Sequence, residues 1–103
     1  MPIYRIELFH FPIQVDKYYG PDYGEDSMVV GFYHEKETAI EAVQEDWCDM
    51  SERGFYQAAM VIETHPGLYP MNHQQNRWYF LYNKEAEGYV LAAEPEGLES
   101  YSL

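Results

Sequence analysis

Residues 28–53 read MVVGFYHEKETAIEAVQEDWCDMSER, and their reading decides the fold. Met28 to Tyr33 is a short apolar run of the kind that forms a strand. From Glu35 to Arg53 the period changes. Ile40, Val43, Trp47 and Met50 recur at spacings of three and four, which gives one apolar stripe along a helix. Ala39 and Ala42 favour helix, and Glu35 and Glu37 suit the positive end of its dipole. His34 takes the N-cap position with Glu37 at the capping-box position, and Arg53-Gly54 supplies a stop.

Working outward, Ile3 to Phe11 reads as a strand with Tyr4, Ile6 and Leu8 on one face, ended by Pro12. Asp16 to Ser27 reads as a loop, because Gly20-Pro21 and Tyr23-Gly24 are turn signals. Downstream, Ala58 to Ile62 is a central-strand candidate that Pro66-Gly67 ends, and Leu68 to Asn76 is a loop. Arg77 to Tyr82 is an aromatic strand, Asn83 to Gly88 a polar turn, and Tyr89 to Ala93 the returning arm of a hairpin. Residues 94–103 are acidic and are expected as a surface tail. The order β-β-α-β-β-β predicts an α+β fold: a two-layer sandwich with one main helix on a mostly antiparallel sheet of four to five strands. A length of 103 residues fits one domain, 1–103.

Composition narrows the class further. Acids number 18 and bases 6, for a net charge of −12. Nucleic acids and anionic membranes repel such a chain, so direct binding to either is disfavoured. A hydrophobic fraction of 47% supplies a real core. The one cysteine, Cys48, cannot form an internal disulfide, and it is expected as a small half-buried hydrophobe on the helix. No 18-residue apolar run is present, and the start MPIYRIELFHF lacks a signal-peptide pattern, so a cytoplasmic location is expected.

The charge is uneven. Residues 35–53 and 85–103 carry −5 each, whereas residues 54–84 carry +1. On a helix, Glu37, Glu41, Glu45 and Asp49 form one row with steps of about 6 Å, flanked by Asp46. Like charges at this spacing destabilise a helix, and Lys36 and Arg53 do not interrupt the row. Three readings stand: a solvated face of an acid-rich chain, adaptation to high salt, or a surface shaped for a basic partner.

Of 11 tyrosines, most suit strands, but Tyr18, Tyr19 and Tyr23 fall in the expected loop, where β-propensity gives no reason for them. They are candidates for a contact surface, since Tyr supplies interface area at low entropy. His10, His34, His65 and His73 show no ligand spacing, and Glu63, His65 and His73 make only a loose grouping, so no metal and no cofactor are expected. Asp46 and Asp49 disfavour a Cys48 thiolate. No serine has nucleophile-elbow context and no glycine-rich phosphate loop is present, so no catalytic residue is assigned and an enzyme is not expected.

The stretch Gly31 to Val43, GFYHEKETAIEAV, resembles a strand-to-helix junction of small uncharacterised proteins from gut bacteria and their prophages. The Gly67-Leu68-Tyr69-Pro70 loop and the Trp78-Tyr79-Phe80 strand are similar to them as well. His34 departs from the Ser or Thr common at their cap. The resemblance implies a small cytoplasmic α+β module, often on mobile DNA, with no catalytic residues to transfer.

These readings converge on an acidic inhibitor that occludes a basic, nucleic-acid-handling protein, in the manner of anti-CRISPR, immunity or antitoxin proteins. Its expected contacts are Glu37, Glu41, Glu45, Asp46, Asp49, Tyr18, Tyr19 and Tyr23. The alternative is a self-associating accessory module, a homodimer through the aromatic 54–84 region.

Overall fold

The computed structural model describes residues 2–16, 18–22, 27–65 and 76–95. Five strands form one antiparallel sheet: β1 (Ile3–Phe9), β4 (Met28–Tyr33), β5 (Ala58–Thr64), β6 (Arg77–Asn83) and β7 (Gly88–Ala92). Their order across the sheet is β4-β1-β5-β6-β7. One helix, α1 (Lys36–Gln44), lies between β4 and β5 in the chain and packs on one face, the two-layer α+β arrangement expected.

Strand register decides which side chains meet the helix. Ile6 stands opposite Val61, Leu8 opposite Ala59, and Ala59 opposite Phe80, so alternate residues of three strands share one face. They bury against Ala39, Ala42 and Val43 of α1. The opposite face carries Phe9, Ala58, Met60, Ile62 and Tyr79, and Ile13 covers it with Val15 packed alongside. The Ile13 amide donates to the Tyr79 hydroxyl at 3.0 Å. With both faces covered, Ala58 to Ile62 are buried without a break, so β5 reads as a continuous apolar run.

Two expectations change. At the start of the stretch read as a loop, and just before it, β2 (Gln14–Asp16) and β3 (Gly20–Asp22) pair as a short hairpin. The Asp16 carboxylate closes its turn, accepting the Tyr18 amide at 2.7 Å and the Tyr19 amide at 3.0 Å, and Gly20 takes φ 84° to leave it. Strands of three residues are too short to show alternation.

The helix is the second correction. It ends at Gln44 and not at Arg53, and its N-cap is Glu35 without a side-chain bond, so His34 is no cap. Beyond it Asp46, Cys48, Asp49, Glu52 and Arg53 all take positive φ, around a short 3-10 turn at Trp47–Asp49. Asp46 drives the change: its carboxylate accepts the Ser51 amide at 2.8 Å and the Ser51 hydroxyl at 2.7 Å, which folds the chain back on itself. Trp47 still meets Tyr33 edge-on at 6.2 Å, and Met50 still packs on the core. The loop thus satisfies a helical spacing without a helix. Cys48, expected half-buried, is exposed in this loop.

Candidate protein-interaction surfaces

The acidic residues come from α1 and the loop after it. Ala39, Ala42 and Val43 hold the inner side of α1, which turns Glu37, Glu41 and Glu45 outward, all exposed. Sharing a proton with the Glu41 carboxyl one turn away, together with local desolvation and the Glu41 charge, raises the Glu45 carboxyl above its ordinary value. The helix's own base does not relieve the pair. Lys36 Nζ lies 5.3 Å from the centre of the Trp78 ring, at the other end of α1.

The expected row of four is shortened, since the helix stops before Asp49. The fold nevertheless gathers Glu45, Asp46 and Asp49 around an open groove of about 450 Å³, with Arg53, Tyr82, Lys84 and Glu87 as its other walls. Their roles differ. Glu45 is exposed, whereas the Asp46 carboxylate is committed to Ser51. Asp49 accepts the Arg53 amide at 3.2 Å. Glu87 and Lys84 were no part of the expected site, because their turn meets residues 45–53 only through tertiary packing, where Gly88 lies against the Gln44 carbonyl. Glu37 faces a second open groove, of about 480 Å³, with Tyr4, Glu63 and Trp78. There Glu63 accepts from the Tyr4 hydroxyl at 3.3 Å and from Asn76 Nδ2 at 2.6 Å.

The tyrosines occupy another side. Tyr18 and Tyr19 are 84% and 90% exposed in the β2–β3 turn. That hairpin follows Ile13 over the face opposite α1. One flat partner cannot therefore cover both the acidic helix and these rings. Tyr23 lies outside the described residues. So does His73, and among the described residues no group of three His, Cys, Asp or Glu could hold a metal ion.

The aromatic strand β6 is interior, between β5 and β7, with Tyr79 and Phe80 buried. The two edges of the five-stranded sheet are β4 and β7. A further apolar cluster surfaces where His10 stacks on Phe55 and also meets Phe11, each with centroids 4.2 Å apart. No described helix is long and apolar enough to cross a membrane.

The fold and surfaces define a class: an α+β sandwich with one acidic side and an apolar sheet edge. Comparison with protein-family models, with curated proteins and with solved structures finds no match to this chain.

Proposed function

We propose that this chain is an acidic protein-binding module that inhibits a basic, nucleic-acid-handling protein by occlusion. The observation that carries the reading is the acidic outer face of α1, where Glu37, Glu41 and Glu45 are all exposed opposite the buried Ala39, Ala42 and Val43. Glu41 raises the Glu45 carboxyl above its ordinary value, while Lys36 lies over the Trp78 ring. Stability favours a base at one of these positions. A cationic partner compensates the cluster on binding and gains fast, salt-sensitive association.

In this role the module performs no chemistry and needs no cofactor, and it acts in the cytoplasm without touching nucleic acid itself. An anti-CRISPR, immunity or antitoxin setting on mobile DNA suits it. Glu37, Glu41 and Glu45 make the contact, joined by Glu87 across the groove. Asp46 and Asp49 shape the loop that frames it.

The test is a pull-down from host lysate at about 50 mM and about 500 mM salt, which bracket Debye lengths of roughly 14 and 4 Å. A basic, nucleic-acid-handling protein is expected at low salt only, and the purified chain should inhibit it. The triple variant Glu37→Lys, Glu41→Lys, Glu45→Lys should lose both effects with its fold intact. Equal capture and inhibition by that variant overturn the reading.

A further inference from the structure

β4 ends the five-stranded sheet with the sequence MVVGFY, which holds no lysine, no proline and no charge. Edge strands normally carry one of these to keep other strands away. The two faces of β4 differ in what flanks them. Toward α1 the strand turns Met28, Gly31 and Tyr33, which stand opposite Leu8, Ile6 and Tyr4 of β1. Val30, at a shift of register, joins them in lining a groove of about 380 Å³, which the loop after α1 bounds with Trp47. Among the described residues the only charged side chains in this lining are Asp49 and Glu52, both acidic and both exposed. On the other face Val29 and Phe32 are 42% and 63% exposed. Their partners in β1, Glu7 and Arg5, pair with each other at 3.6 Å.

We propose that the outer edge of β4 receives an extended segment of a basic partner, added as a further strand, in which lysine or arginine alternates with an apolar residue. The proposal rests on the basic-partner reading above and names the shape of what that partner presents. A strand added to an edge takes main-chain hydrogen bonds from it and alternates its side chains between the two faces. On the groove side a long basic side chain lays its methylenes along Met28 and Val30 and carries its charge to Asp49 or Glu52. On the other side an apolar residue meets Val29 and Phe32, where the Arg5–Glu7 pair leaves no net charge to satisfy.

Charge complementarity selects this occupant. Two chains of −12 repel each other, whereas a basic segment is drawn to the same surface. A second β4 would also bring no base to meet Asp49 and Glu52. Asp49 is held in place by the Arg53 amide, which its carboxylate accepts at 3.2 Å. It lines both this groove and the one beside Glu45, so the strand site adjoins the acidic helix. One basic partner therefore reaches both.

The test uses the purified full chain and a labelled, amidated peptide that alternates arginine with valine, at about 150 mM salt, read by fluorescence anisotropy. Two control peptides keep its charge. One groups the arginines and valines in separate blocks, and the other has its backbone amides N-methylated. Both should bind at least about tenfold more weakly. The double variant Asp49→Asn, Glu52→Gln should weaken the alternating peptide by about tenfold. Glu41→Gln, Glu45→Gln removes the same charge from the helix face and should leave the affinity within about twofold. Hydrogen exchange in residues 28–33 should slow when the peptide is added. Control peptides bound as tightly as the alternating one overturn the proposal. So does protection confined to another part of the chain, or a dimer whose residues 28–33 are protected without peptide. Loss of the peptide to the helix variant alone overturns it too, and leaves the acidic-face reading standing. Binding as expected, with no basic protein captured from lysate, upholds the edge site and removes the inhibitor reading.

Discussion

Gly88, the first residue of β7, lies against the backbone carbonyl of Gln44, the last residue of α1, so closely that a Cβ at 88 would overlap the oxygen. Neither backbone can yield, because one is a helix end and the other a paired strand. Gly88→Ala should therefore destabilise the fold by about 1–3 kcal/mol. In a domain of this size each kcal/mol lowers the melting temperature by about 4–8 °C. Gly31→Ala, on an open site, should change it little. Thermal and urea melts of the two variants make the check.

The same contact shows where sequence reading stops. The five strands of the main sheet, the presence of the helix and the β6–β7 hairpin were legible because alternation and helical spacing are local signals, as with Ile6 and Leu8 or Ala39 and Val43; the order of the strands across the sheet was not. The helix end was not. Trp47 and Met50 continue the helical spacing, and only the Asp46–Ser51 bonds and the approach of Gly88 show that the chain has left α1. The outward Glu37, Glu41 and Glu45 were legible for the same local reason. Glu87 was not, since a residue 42 positions from Glu45 joins its groove through tertiary pairing alone.

Asp46 is expected to act on stability. Ser51 is fully buried, and its amide and hydroxyl both donate to the Asp46 carboxylate. Asp46→Ala removes the acceptor and also places alanine at φ 51°, so a loss of about 1.5–3 kcal/mol should follow. Asp46→Asn keeps one acceptor oxygen and tolerates the left-handed backbone, so its loss should be smaller. Urea unfolding of both variants measures the difference.

Alkaline pH should unfold the protein through its buried tyrosines. Burial holds the Tyr89 phenol well above its ordinary range, with the Asp46 charge adding to the effect. Burial raises Tyr79 as well, against the Ile13 amide bond that lowers it. A raised folded value means that this stability is whole below the unfolded value of about 10. It is lost as pH climbs toward the folded values, because the unfolded chain gives up its protons first. Urea melts above about pH 10 should show the decline. Tyr89→Phe should flatten it, and it should also lose about 0.5–1.5 kcal/mol at neutral pH, because the Tyr89 hydroxyl donates to the Tyr56 carbonyl at 2.6 Å.

Glu45 allows stability and binding to be set against each other. Its carboxyl is raised chiefly by the Glu41 hydrogen bond, so folding strengthens its hold on a proton. The sign follows: this group's contribution to stability grows as pH falls from neutral toward the carboxylate range, and it is unfavourable at pH 7. Glu45→Gln should therefore raise the melting temperature at pH 7 and low salt. The gain should shrink in high salt, where the repulsion it relieves is already screened. If the acidic face meets a basic partner, the same variant should bind that partner more weakly and dissociate faster. A residue that costs stability and supports binding is the trade-off expected of a functional surface. A variant that melts higher and binds unchanged would mark Glu45 as part of a solvated face, and the contact would then rest on Glu37 and Glu41.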